Sequence, residues 1–229
     1  MDFRAHVRAL KRIVRLVRGF AAKAPGTATL LIAILATTFF QWLIGAEAAQ
    51  YVVQHVSTNL SNLLAFRLPV LVASAFWLEG DWLALQLGVW LVLFITVLAP
   101  AERWLGTRRW VIAFAVSHIG ATVITAFRLW RAVKLGHQPP AVRDALDVGL
   151  SYGFLGICAL SIYRLPGRWR WPVRVLLLAP LLVVLRIDRQ FTDAGHVAAV
   201  LIGFGLFPLA RAAEAESRTQ PARPGGTWD

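Results

Sequence analysis

Residues 82–99 read WLALQLGVWLVLFITVLA, a run without a single charged side chain. A bilayer's hydrocarbon core is crossed by about 20 such residues in helical form. This run therefore predicts a membrane helix. Five more apolar runs accompany it, which puts spans at roughly 29–46, 82–99, 110–127, 148–163, 172–186 and 194–210. Only 16% of the chain is charged and its mean hydropathy is +0.61, whereas soluble domains carry about 25% charged residues. The predicted fold class is an all-α integral membrane protein with six transmembrane helices. Residues 1–28 form a basic N-terminal segment, 29–211 the membrane domain, and 212–229 a polar, Pro/Gly-rich tail expected to be disordered.

The net charge of +12 would point to nucleic acid in a soluble protein. Here it sorts by side instead. Cations gather before span one (Arg4 to Lys23), between spans two and three (Arg103, Arg108, Arg109), between four and five (Arg164, Arg168, Arg170) and in the tail. The positive-inside rule then places both termini in the cytoplasm of a plasma-membrane protein, with the lipid bilayer and not nucleic acid as partner. Residues 4–18 alternate cations with Val7, Leu10, Ile13, Val14 and Val17. That pattern reads as a basic amphipathic helix on an anionic leaflet, or as a solvated charge run that only sets topology.

Three further features bear on processing and loops. Ala46-Glu47-Ala48 after the first run has the form of a signal-peptidase site, but the run is long for a signal core and the helix is expected to be retained. Residues 50–81 are too apolar for a solvated loop and are expected to form one or two short interfacial helices. Asn59-Leu60-Ser61 is a formal glycosylation sequon. The single Cys158 excludes an intrachain disulfide and a Cys-based zinc site.

Polar groups inside spans are the functional candidates: Ser151, His118, His196 and Cys158. Gly149-x-Ser151-x-Gly153 resembles a hydrolase nucleophile elbow, but no sheet is present to carry one. Spans four and six both run inward, so Ser151 and His196 each lie about one turn, ~5 Å, below the outer surface. His118, on span three, is deeper at ~13 Å. Gly149, Gly153 and Gly156 on span four, and Gly195, Ala199 and Gly203 on span six, would let these helices pack closely. A hydroxyl beside a neutral imidazole makes an activated nucleophile. Each residue also has a structural reading: Ser151 bonded within its own helix, His196 interfacial, His118 and Cys158 packed, Asp147 and Asp193 as helix caps. Asp193 could alternatively orient His196. Asp193-x-x-His196 has metal-pair spacing, but no second copy exists elsewhere.

Three stretches together resemble the rhomboid intramembrane serine proteases, more closely an actinobacterial-looking branch. PAERWLGTRRW is similar to the family's Glu-x-x-x-Gly-[Ser/Thr] segment through Glu102, Gly106 and Thr107. GLSYG is similar to its nucleophile motif through Gly149 and Ser151, and GHVAAVLIGF to its catalytic histidine segment through His196 and Gly203, with Ala199 where glycine is usual. The resemblance covers residues 29–210 and implies a six-helix rhomboid-like bundle. It implies a Ser151–His196 pair cutting transmembrane protein substrates, with no metal or cofactor and an oxyanion held by backbone groups around Gly149, Leu150 and Tyr152. A polar cavity above Ser151 would admit water, capped by residues 186–194. The chain departs from the pattern at Tyr152, where glycine follows the nucleophile, and at Gln86 and Trp90, where counting back from Glu102 places the family's His/Asn oxyanion pair. Gln86 could still donate. The alternative is an inactive rhomboid-like protein that binds membrane helices for quality control or assembly. The sequence leaves the substrate and oligomeric state open.

Overall fold

The computed structural model describes residues 3–79, 83–187 and 190–219, and every regular element among them is helical. Helix α1 (Phe3–Lys23) ends at Ala24, whose φ of −147° and ψ of 66° break the axis. Pro25 then opens α2 (Pro25–Ile44), where its missing N–H is one the first turn leaves unpaired anyway. Three short helices follow, α3 (Ala46–Val56), α4 (Leu60–Leu64) and α5 (Val70–Ala73), where one or two were expected. Helix α6 (Leu83–Leu105) contains a π turn at Phe94–Leu98, just before Pro100. After Gly106 come α7 (Thr107–Lys134), α8 (Ser151–Ser161), α9 (Gly167–Ile187), α10 (Phe191–Gly205) and α11 (Phe207–Thr219).

Each of the six apolar runs contributes a helix among the described residues, yet length and apolarity qualify three helices as full spans: α2, α6 and α7. A fourth is added if α10 and α11, bent by 40° at their junction, count as one. Helix α8 is too short to cross a bilayer: its 11 residues rise only ~16 Å. It lies instead inside the bundle, between α7 and α10. Residues 212–219, read from the sequence as part of a disordered tail, are helical, because α11 continues to Thr219; residues 220–229 lie outside the described part.

Close approach of α7, α8 and α10 rests on missing side chains. A Cβ on Gly156 would overlap Ser117, and one on Gly203 would overlap the Gly156 carbonyl and sit 2.8 Å from the Ala159 Cβ. Gly153 lies against the Phe114 ring, and Ala199 is fully buried. Gly153, Gly156, Ala199 and Gly203 lie in this seam, whereas Gly149 lies outside it, with its N–H bonded to the Ser74 carbonyl.

One end of the bundle, the basal end, is fastened by Glu102. Its carboxylate is 1% exposed. It accepts the Gly26 N–H at 2.8 Å, the Thr27 N–H at 2.7 Å and the Thr107 hydroxyl at 2.7 Å. The first turn of α2 has N–H groups that its own helix cannot satisfy, and an anion there also meets the positive end of the helix dipole. Arg109 and Glu216 form an ion pair of 2.7 Å at the same end, joining α7 to α11.

Candidate active site

The chain reaches α8 through a short extended segment, and the α3–α5 region holds that segment in place. Asp147 donates its N–H to the Ser57 hydroxyl at 2.9 Å, and its carbonyl accepts from the Thr58 N–H at 3.0 Å and the Thr58 hydroxyl at 2.8 Å. Gly149, at a φ of 115°, donates its N–H to the Ser74 carbonyl at 2.8 Å. That left-handed conformation favours glycine. Ser57, Thr58 and Ser74 are all buried, so every one of these bonds replaces water for a backbone that has none nearby.

Helix α8 starts at Ser151. Its first intrahelical bond runs from the Phe154 N–H to the Leu150 carbonyl at 2.9 Å, so the Ser151, Tyr152 and Gly153 amides precede it as first-turn donors without an intrahelical partner. The Ser151 hydroxyl lies 3.1 Å from His196 Nε2, and both residues are partly buried. The two are 45 positions apart in sequence. Ser151 and His196 are therefore brought together, as equal depth on two packed helices predicts.

Tyr152 packs against the histidine of this pair. Its side chain is 3% exposed and lies in the seam between α7, α8 and α10. The ring meets His196 edge-on at 5.2 Å and 67°. The space it fills exists because residue 195 has no side chain: a Cβ on Gly195 would overlap the Tyr152 ring. The departure at residue 152 is thus matched by a glycine beside the histidine.

Several expectations need correction. The Gln86 amide donates to the Glu79 carbonyl at 2.7 Å. Trp90 packs edge-on against Phe154 at 5.4 Å. Counting back from Glu102 assumed an unbroken α-helix. The π turn at Phe94–Leu98 inserts about one residue and turns everything before it by ~100°. Gly149 is not an oxyanion donor, because Ser74 holds its N–H. Asp193 is not the cap residue of α10. It sits at the third helical position and accepts the Gln190 N–H at 3.0 Å in a capping box, with no hydrogen bond to His196. Asp147 does not cap α8, where Leu150 stands at that position. Asn59 is 3% exposed and caps α4 by accepting the Asn62 N–H at 2.8 Å.

A second Ser–His contact lies next door. His118 Nε2 is 3.2 Å from the Ser74 hydroxyl, with both residues buried. His118 is stacked near Phe114 at 6.3 Å and tilted toward Tyr152 at 6.2 Å. It is a packed, hydrogen-bonded helix residue, as its sequence context suggests. Ser74 escaped the sequence reading because it sits in the apolar stretch VLVASAF. Cys158 is half-buried. Among the described residues no three His, Cys, Asp or Glu side chains converge on one point. A groove of about 830 Å³ bounded by α2, α3 and α6 is lined by Thr38, Gln41, Glu79 and Leu146 among others; neither Ser151 nor His196 lines it.

The fold is thus a helical membrane bundle with a Ser–His pair on two of its innermost helices. The chain belongs to the rhomboid-like family: the family model described as rhomboid-like protein matches residues 19–216. No curated protein and no solved structure matches the chain significantly.

Proposed function

We propose that this rhomboid-like protein is an intramembrane serine endopeptidase acting on transmembrane segments of other membrane proteins. The observation that carries this reading is the 3.1 Å contact between the Ser151 hydroxyl and His196 Nε2. With its proton on Nδ1, His196 accepts the Ser151 proton as the oxygen attacks a peptide carbonyl. The imidazolium then protonates the leaving amine, and water repeats the sequence to release the acyl group. The first-turn amides of α8 point along the dipole of that helix and are suited to hold the oxyanion. A plasma-membrane location with cytoplasmic termini follows from the charge distribution. The basal end then faces the cytoplasm, and the Ser151 end faces out.

The second reading, a helix-binding protein without turnover, is favoured by one observation. The Gln86 amide is bonded to the Glu79 carbonyl and the Trp90 ring packs on Phe154, so among the described residues these two side chains make other contacts than an oxyanion hydrogen bond. Labelling with a serine-directed fluorophosphonate in detergent separates the two. The protease reading expects labelling of the wild type, lost in both Ser151→Ala and His196→Ala and kept in Ser74→Ala. A folded wild type that takes no label overturns it in favour of the second reading.

A further inference from the structure

The proposed chemistry leaves α1 without a role. Residues 3–23 contain Arg4, Arg8, Lys11, Arg12, Arg15, Arg18 and Lys23 and no acidic residue. At 100° per residue, Val14, Val17 and Ala21 share one arc, while Lys11, Arg12 and Arg15 fall on the other and Arg18 flanks it. Neither arc is packed on the bundle. Val14, Leu16 and Val17 are 41%, 65% and 60% exposed, and the four cations from Lys11 to Arg18 are exposed as well. Soluble helices do not leave their apolar arc in water without a partner.

The position of α1 says what that partner is. One residue, Ala24, separates Lys23 from the start of α2, which is long and apolar enough to span a membrane. Glu102 holds the first turn of α2 through Gly26 and Thr27, so that the junction stays at the basal rim of the bundle. The axis breaks at Ala24, so α1 does not simply extend the span. An apolar arc flanked by cations is therefore held at the edge of the bilayer. An apolar arc bordered by cations suits an anionic lipid, its phosphate against the cations and its acyl chain against the arc.

We infer that α1 is a binding surface for anionic lipid. Its apolar arc inserts at the headgroup–acyl boundary of the basal leaflet, and Lys11, Arg12, Arg15 and Arg18 hold the phosphates. This does not depend on the protein being a protease.

The test uses the full chain carrying Cys158→Ser and one nitroxide label at a time, at Val14→Cys, Arg15→Cys or Val17→Cys. It is placed in nanodiscs of phosphatidylcholine alone, or with about a third phosphatidylglycerol. In the anionic discs, labels at 14 and 17 become shielded from a water-soluble nickel relaxant and accessible to oxygen, by about threefold or more, while the label at 15 stays accessible to nickel. Neutralising Lys11, Arg12 and Arg18 to Gln reverses the shift at 17. Three results overturn the inference. One is a label at 17 that is equally water-exposed in both discs. Another is shielding that is the same without phosphatidylglycerol and indifferent to neutralisation, which would mean apolar adsorption alone. The third is shielding that grows with protein-to-lipid ratio, which would mean that a second copy covers the arc.

Discussion

Tyr152 and Gly195 occupy one space between them: the phenol ring lies where a Cβ on Gly195 would be. Tyr152 follows the proposed nucleophile, Ser151, and Gly195 precedes its proposed base, His196. A change on either side of this contact therefore shifts the geometry of the Ser151–His196 pair. Gly195→Ala is expected to lower thermal stability and abolish fluorophosphonate labelling, by an overpacking cost of about 1–3 kcal/mol. Combining it with Tyr152→Ala should restore part of the stability. Thermal unfolding of the two single variants and the double variant, read as a cycle, checks this; strict additivity would refute the shared space.

Gln86→Ala should leave the labelling rate within about threefold of wild type. A lost oxyanion donor costs about 10²–10³ in rate, and the Gln86 amide is spent on the Glu79 carbonyl instead. A hundredfold loss measured by labelling kinetics would return Gln86 to the oxyanion hole.

Glu102→Ala removes the acceptor for two buried amides and one hydroxyl. Hydrogen bonds to a charged group contribute about 1.5–3 kcal/mol each, so a loss of several kcal/mol is expected from detergent unfolding curves. Glu102→Gln keeps one acceptor oxygen and should cost less. Equal stability of wild type and Glu102→Ala would contradict the clamp.

Asp147 gives stability a dependence on pH. Burial pushes its carboxyl up to about 6 from an ordinary value near 3.8. The folded state therefore binds a proton more tightly than the unfolded chain. Its contribution is fully present below pH ~4 and is lost as pH rises through ~6, where the unfolded state has already ionised. Unfolding temperatures should fall across that window, and Asp147→Asn should flatten the fall. The same slope in wild type and variant would assign it to other groups.

The helices and the Ser151–His196 pairing were legible because both follow from quantities a sequence states directly. Apolar run length sets where spans begin, and position along a run sets depth. Small residues at four-residue spacing marked the seam. Three things were hidden for physical reasons. The first residues of the fourth run looked helical, but Asp147 and Gly149 bond to Ser57, Thr58 and Ser74, partners at least 70 positions away that hydropathy cannot register. Asp193 looked like a cap, but Gln190 takes that position and leaves Asp193 as its reciprocal partner. The π turn at Phe94–Leu98 was hidden because residue counting carries no signal of one. Nothing in residues 82–99 announces one except Pro100 beyond their end.

The Glu102 clamp also imposes an order on assembly. Its amide donors lie 75 and 76 residues upstream, and its hydroxyl donor lies five residues downstream. A chain made from its N-terminus inserts α2 long before residue 107 exists, so the start of that helix waits with unsatisfied amides until α6 has been threaded back through the membrane. Until then the first span lacks this anchor. The second span is thus the step that fixes the first, and any factor that meets the nascent protein before residue 107 meets it in this unlatched state.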